Sequence, residues 1–174
     1  MNVNDLTIRF PKPRPELLLH PNIPKSLHGV NPRTIKGRAW WDIERRKAYA
    51  KMGGVCWACG SSGRLEAHEV YNIDYTIGKV KLVEICALCH DCHSFIHNGR
   101  SQALVAKGQM TKDELNRITD KGFSILGMYD IDYYVDTPDV VAPWGDWHLE
   151  LDGKCYYSKF KSIEEWAAHY EVEL

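Results

Sequence analysis

Six cysteines and a group of histidines are the residues with the clearest chemistry in this sequence. Four of the cysteines form two Cys-x-x-Cys pairs, Cys56/Cys59 and Cys89/Cys92, with 29 residues between Cys59 and Cys89. Zn²⁺ takes four thiolate or imidazole ligands in a tetrahedron, and two intervening residues let both thiolates of a pair reach one ion. The spacing therefore predicts a structural zinc site on Cys56, Cys59, Cys89 and Cys92. Cys86 also stands in Cys-x-x-Cys spacing with Cys89. We read it as a buried small hydrophobe on a strand, and Cys155 as a core thiol. Between and beyond the cysteines lie His68, Glu69, His93 and His97. His93 and His97 are four apart, which places them on one face of a helix. Paired with a strand that carries His68, they would form a three-imidazole site for a catalytic divalent ion.

The elements that must position these groups can be read around them. Arg64 to Tyr71 and Lys79 to Leu88 are expected strands, rich in β-branched and apolar residues. Asp74 to Gly78 is expected as their turn. Cys89 to His97 should be a short helix ended by Asn98-Gly99. Before this unit, Ala39 to Lys51 lacks Gly and Pro and should be a helix stopped by Met52-Gly53-Gly54. Trp40 and Trp41 are expected core anchors there. After it, Ser101 is expected to cap a short helix over Gln102–Lys107. Thr111 and Glu114 form a capping box for a helix ending near Gly122. Tyr129 to Val135 reads as a strand. Trp147–Leu151 and Lys154–Lys159 read as a hairpin around Asp152-Gly153. Ser162 should cap a final helix over Ile163–Tyr170.

Charge is distributed unevenly along the chain. Residues 1–51 carry 11 Lys/Arg against 4 Asp/Glu, and residues 130–174 carry 3 against 11. The whole chain has a net charge of −1. Residues 1–38 hold many prolines, each of which fixes φ and removes a donor. This stretch is expected to be an extended basic arm that lies on a nucleic-acid backbone, or alternatively a strap over the core. The acidic, aromatic C-terminal region, with Tyr133, Tyr134, Trp144, Trp147, Tyr156, Tyr157 and Trp166, is either a surface for a basic protein partner or the core of an appended unit. No apolar run reaches the ~20 residues a membrane span needs. Met1 to Asp5 lacks a signal-peptide head. The expectation is a cytoplasmic protein in a reducing setting, where cysteines favour metal over disulfides.

The segment from Cys56 to His97 resembles the HNH (His-Me finger, ββα-metal) endonucleases. The matching stretches are Cys56-Trp57-Ala58-Cys59, Leu65-Glu66-Ala67-His68-Glu69-Val70 and Ala87-Leu88-Cys89-His90-Asp91-Cys92-His93, ending at His97. The resemblance covers 42 of 174 residues. It implies a zinc-clamped ββα-metal module over residues 39–100; with the basic Pro-rich arm over 1–38 and the helical and β-hairpin region over 101–174 read from the rest of the sequence, the chain is expected to be α+β. His68 would take the metal-ligand position at the end of the first strand, with His93 and His97 as the helix ligands of the colicin-type members. Mg²⁺, Mn²⁺ or Zn²⁺ would be the catalytic ion. Small size and a basic arm suit a phage or mobile-element protein of that family.

Two positions depart from the family pattern. Glu69 stands where the general-base His belongs, and the Asn that orients that base falls near Glu84. A glutamate has an ordinary pKa of about 4.3 against about 6.5 for histidine, so it is ionised but a weaker base. The expected activity is hydrolysis of phosphodiester bonds in nucleic acid, DNA first, with Glu69 or His90 activating water. In another reading Glu69 is itself a ligand. The alternatives are an HNH-like scaffold that binds a protein partner, and a zinc-stabilised nucleic-acid binder without chemistry.

Overall fold

A computed structural model describes residues 12–134 and 139–173. The chain is α+β, with six α-helices and a four-stranded mixed sheet among the described residues. Helices α1 (Pro32–Lys36) and α2 (Arg38–Lys51) precede strands β1 (Leu65–Asp74) and β2 (Lys79–Cys89). Helices α3 (His90–Ile96), α4 (Asn98–Ala106) and α5 (Lys112–Met128) follow, then β3 (His148–Leu151), β4 (Lys154–Tyr157) and α6 (Ile163–Tyr170). The sheet order is β1-β2-β3-β4. β1 and β2 are antiparallel, β3 joins the start of β2 in parallel, and β4 returns antiparallel. The β1–β2 register shifts between Val70 and Tyr71, leaving Val83 unpaired and exposed. Such a bulge bends the ladder and separates its two halves.

Those halves serve two cores. The larger joins Leu17, Leu18, Ala48, Trp57, Leu88, Phe95, Ile118 and Leu126 around the cysteine end of the hairpin. The smaller joins Leu27, Val30, Val80, Trp147 and Leu149 around the turn end. Trp57, inside the first Cys-x-x-Cys, is the pivot of the larger core. It is 1 % exposed, and its indole N–H donates to the Ala48 carbonyl at 3.1 Å. Its backbone N–H donates to Ala87 at 2.8 Å, while its carbonyl accepts from Arg14. One buried aromatic thus fixes the cysteine loop against α2, β2 and the N-terminal strap.

Several expectations are corrected by these elements. From residue 12 the basic stretch is not an extended arm. It forms 3-10 turns over Pro15–Leu19 and Lys25–Leu27, then α1, and it buries Leu17, Leu18 and Leu27. The apolar run Leu17-Leu18-Leu19 outweighs the prolines, because burying two leucines gains several kcal/mol. Residues 1–11, with Arg9, lie outside the described residues. Asn98-Gly99 does not end the helical run but opens α4, and Ser101 sits inside that helix, donating its hydroxyl to the Ser94 carbonyl at 3.2 Å. α5 passes through Gly122 to Met128. Gly122 is there for space: a Cβ would lie 2.1 Å from the Phe95 ring. Residues Tyr129 to Tyr134 are turn and coil rather than strand, and Val135 lies outside the described residues. Cys155 is exposed, not core.

The helix over Arg38–Lys51, the β1–β2 hairpin, the short helix after Cys89, the C-terminal hairpin and the Ser162 cap occur close to the expected bounds. The C-terminal aromatics divide. Trp147 and Trp166 are buried, whereas Tyr133, Tyr134 and Tyr157 are exposed. Charge separation along the sequence is partly cancelled in space, since Lys36 of α1 pairs with Asp152 of the hairpin. Glu150 likewise pairs with Lys79 and Lys81 of β2.

Candidate metal centre and cleft

β2 runs directly into α3, with Cys89 as the extended residue before the helix. Cys89 and Cys92 therefore bracket the first helical turn. Val55 bridges to Ser62, closing the loop that presents Cys56 and Cys59. Gly60 adopts φ +74° at its tip, a conformation a side chain resists. The four Sγ atoms lie within 4.8 Å of one another. Cys56 and Cys92 are almost wholly buried, and Cys59 and Cys89 are half-buried. Hydrogen bonding from Cys56 draws the Cys59 and Cys89 thiols down, Cys89 to about 5, while Cys56 and Cys92 are pushed up by the sulfurs around them. Four sulfurs this close, two of them ready to ionise, fit a closed tetrahedral thiolate site such as that of zinc. Asp91, between the two cysteines of α3, ties the knuckle to α5 through Arg117 at 2.8 Å and Lys121 at 2.7 Å.

The histidine group lies on the same β1–β2–α3 unit, with His93 next to Cys92 in α3 and His68 three residues along β1 from the partner of Cys89. The ligand nitrogens of His68, His93 and His97 also lie within 4.8 Å of one another. Their ring centroids are 4.7 to 5.3 Å apart. His68 pairs across the ladder with Cys86 and is 4 % exposed. Both its ring nitrogens are buried without a hydrogen-bond partner. Leaving such groups unmade costs about 1–3 kcal/mol each, so a bound cation is the natural partner for at least one. Burial holds all three imidazoles neutral at pH 7, with His97 pushed down to about 4 and His68 to about 2. Neutral imidazole is the form that ligates metal. The three residues fit a divalent ion.

Glu66, two residues before His68, was not singled out from the sequence. It accepts from His93 Nδ1 at 2.5 Å and lies 3.1 Å from His90 Nδ1. That bond fixes the His93 ring and leaves Nε2 for the triad, the usual arrangement behind a ligating histidine. Although burial opposes it, hydrogen bonding to His90 and His93 holds the Glu66 carboxyl below its ordinary value. His90 is mostly exposed and stands outside the triad.

A second residue missed from sequence is His20, from the strap. Its ring lies edge-on to His68 at 5.0 Å, and its Nε2 accepts the Tyr71 backbone N–H at 2.9 Å. The signal for it was the apolar triplet just before, which marks this part of the strap as buried.

A cleft of about 670 Å³ opens onto His68 and His97 of the triad and is lined also by Glu69, Arg100, Lys25 and His20 among others. Glu69 is beside the triad. Burial raises its pKa, with Arg33 pulling the other way. Glu84 is not in the cleft. It pairs with Arg14 at 2.5 Å and Lys51 at 3.3 Å, beside Trp57.

The chain matches no family model, no curated protein and no solved structure in comparisons with each. No helix among the described residues is long and apolar enough to cross a membrane.

Proposed function

We propose that this chain is a metal-dependent endonuclease of the HNH type, built on a ββα-metal module whose cysteine cluster holds structural zinc. The observation that carries this reading is the convergence of His68, His93 and His97 within 4.8 Å at the strand–helix junction, beside an acidic cleft residue and cations. Those three imidazoles would hold the divalent ion, and the donor set favours Zn²⁺ over Mg²⁺ or Mn²⁺. A bound ion supplies Lewis acidity to a phosphate oxygen and charge for the departing 3′-oxygen.

The remaining work belongs to the chain. Glu66 holds the His93 ring in its ligating tautomer. Glu69, on the cleft wall, accepts a proton from water. General-base help is worth about 10²–10⁴-fold. Lys25 and Arg100 line the cleft and would bind flanking phosphates as point charge and planar fork, respectively. The test is incubation of the zinc-loaded protein with single- and double-stranded DNA and RNA in Zn²⁺, Mn²⁺ or Mg²⁺. Cleavage is expected, and it should vanish in His93→Ala while circular dichroism stays unchanged. Intact substrates under every ion would overturn the nuclease reading.

One observation favours a second reading, a scaffold that binds nucleic acid or a protein partner without cutting. Glu84, at the place of the family's base-orienting Asn, is tied to Arg14 and Lys51 and leaves Glu69 without that support. On this reading nucleic-acid binding is steeply salt-dependent and indifferent to His93→Ala.

A further inference from the structure

The strap also lines a larger cavity of about 830 Å³, whose walls do not include Glu69. Its walls differ in kind from those of the cleft. Tyr75, Phe95, Tyr133, Trp144 and Trp147 supply aromatic surface. Phe95 and Tyr133 meet edge-on at 6.0 Å. The Trp144 and Trp147 indole N–H groups are already spent on the Phe160 and Ala142 carbonyls, so these side chains offer ring surface and no donor. Its side-chain polar groups are Asn22, Asn98, Ser26 and the tyrosine hydroxyls, with His20 and Lys25 on the edge it shares with the cleft. Ser26 is 2 % exposed, and its hydroxyl is buried without any partner. A buried hydroxyl on a cavity wall with nothing to bond is the kind of group a ligand satisfies.

The cavity and the cleft share one ridge. His20, Pro21, Asn22, Ile23, Lys25 and Ile96 line both. A ligand chain lying across that ridge would meet Arg100 and the His68 and His97 imidazoles on one side, Lys25 and His20 on the ridge itself, and aromatic walls on the other side. That is the composition of a nucleotide: an anionic backbone, then a flat base with a hydrogen-bonding edge. An apolar peptide would match the aromatic walls but not the cationic cleft next to them.

We propose that this cavity is a base-binding subsite, which takes an unpaired nucleobase of the strand whose phosphates lie in the Glu69 cleft. The inference rests on the nuclease reading for the cleft and adds the substrate class: single-stranded or locally unpaired nucleic acid. Stacking on aromatic side chains tolerates any base, because every base has a π-face. Ser26, Asn22 and Asn98 add edge contacts.

The test compares two labelled oligonucleotides of about 12 nucleotides, oligothymidylate and an abasic strand with the same phosphates. Fluorescence anisotropy is measured on the zinc-loaded protein in a His93→Ala background, where cleavage is lost, so that nothing is cut. The thymidylate strand should bind roughly tenfold or more tightly than the abasic one. Tyr133→Ala and Ser26→Ala should each narrow that gap while abasic binding holds. Equal binding of the two strands would overturn the proposal, as would a thymidylate preference unchanged in both variants. An apolar fluorescent dye that enters the cavity and resists displacement by thymidylate would overturn it in favour of an apolar peptide. Cleavage of duplex DNA without any base preference would remove the subsite and leave the nuclease reading standing. Loss of all binding and all cleavage would remove both.

Discussion

The cysteine cluster and the histidine cluster are carried by the same β1–β2–α3 unit, yet they are finished in opposite ways. Around the cysteines the packing is dense, with Cys56 and Cys92 almost wholly buried. Trp57, Ala58, Leu88 and Cys86 are fully buried beside them, backbone hydrogen bonds fix the loop, and Asp91 ties the helix to α5. The histidines instead face a cleft, and His68 keeps two buried nitrogens without partners. The first arrangement suits an ion with no vacant coordination position, the second an ion that keeps one open. The contrast teaches that one strand–strand–helix unit can carry two donor sets, one packed into a core and one facing a cleft, and that the surrounding side chains as well as the donors distinguish them.

The largest effect should come from the closed cluster. Cys92→Ser is expected to lose zinc and with it the native fold, because structural zinc contributes on the order of 10 kcal/mol, comparable to a whole domain's stability. Zinc content by elemental analysis and the loss of tertiary circular dichroism check this. His97→Ala should leave zinc and fold intact while cleavage falls at least about a hundredfold. If that variant unfolded, the division between clamp and reactive site would be wrong.

A finer break is Glu66→Gln, which weakens the acceptor behind His93. The second metal should bind about 10–100-fold more weakly, as for other outer-shell partners of ligating histidines. Metal titration against the cysteine-loaded protein measures it, and the cysteine site should not respond.

The smallest effect lies outside both clusters. His28 accepts from the Trp166 indole N–H at 3.1 Å and so helps to dock α6. Burial lowers its pKa from the ordinary 6.5, and nearby Lys25 lowers it further. The native state thus holds His28 neutral where the unfolded chain takes up a proton. The stability this contributes is present above pH 6.5 and declines as pH falls below it. Amide protection factors in α6, corrected for the pH dependence of intrinsic exchange, should therefore fall between pH 7 and pH 5, and His28→Phe should flatten that dependence.

Much of the site was legible before folding because its geometry is local. Cys-x-x-Cys pairs, a histidine pair four apart on a helix and a β-branched hairpin each express a short-range periodicity. Caps at Thr111 and Ser162 were visible for the same reason: one side-chain oxygen meets a backbone N–H three residues on, at 3.1 and 3.4 Å. Elements misread from the sequence all depended on distant partners. Gly122 looked like a helix stop and is a slot for Phe95 of α3. The prolines suggest an extended arm, but Leu17 and Leu18 find a core that runs from Ala48 to Leu126.

The sequence by itself determined the donors: four cysteines and three histidines at spacings that bring each set together. Tertiary structure decided what surrounds them. Only the folded chain places His20 against His68, sets Glu66 behind His93, draws Glu84 away to Arg14 and Lys51, and raises a ridge with a cationic cleft on one side and an aromatic cavity on the other. The reason is physical. Ligand spacing is fixed by a few backbone torsions, whereas burial, electrostatics and cavity shape depend on which distant side chains pack there.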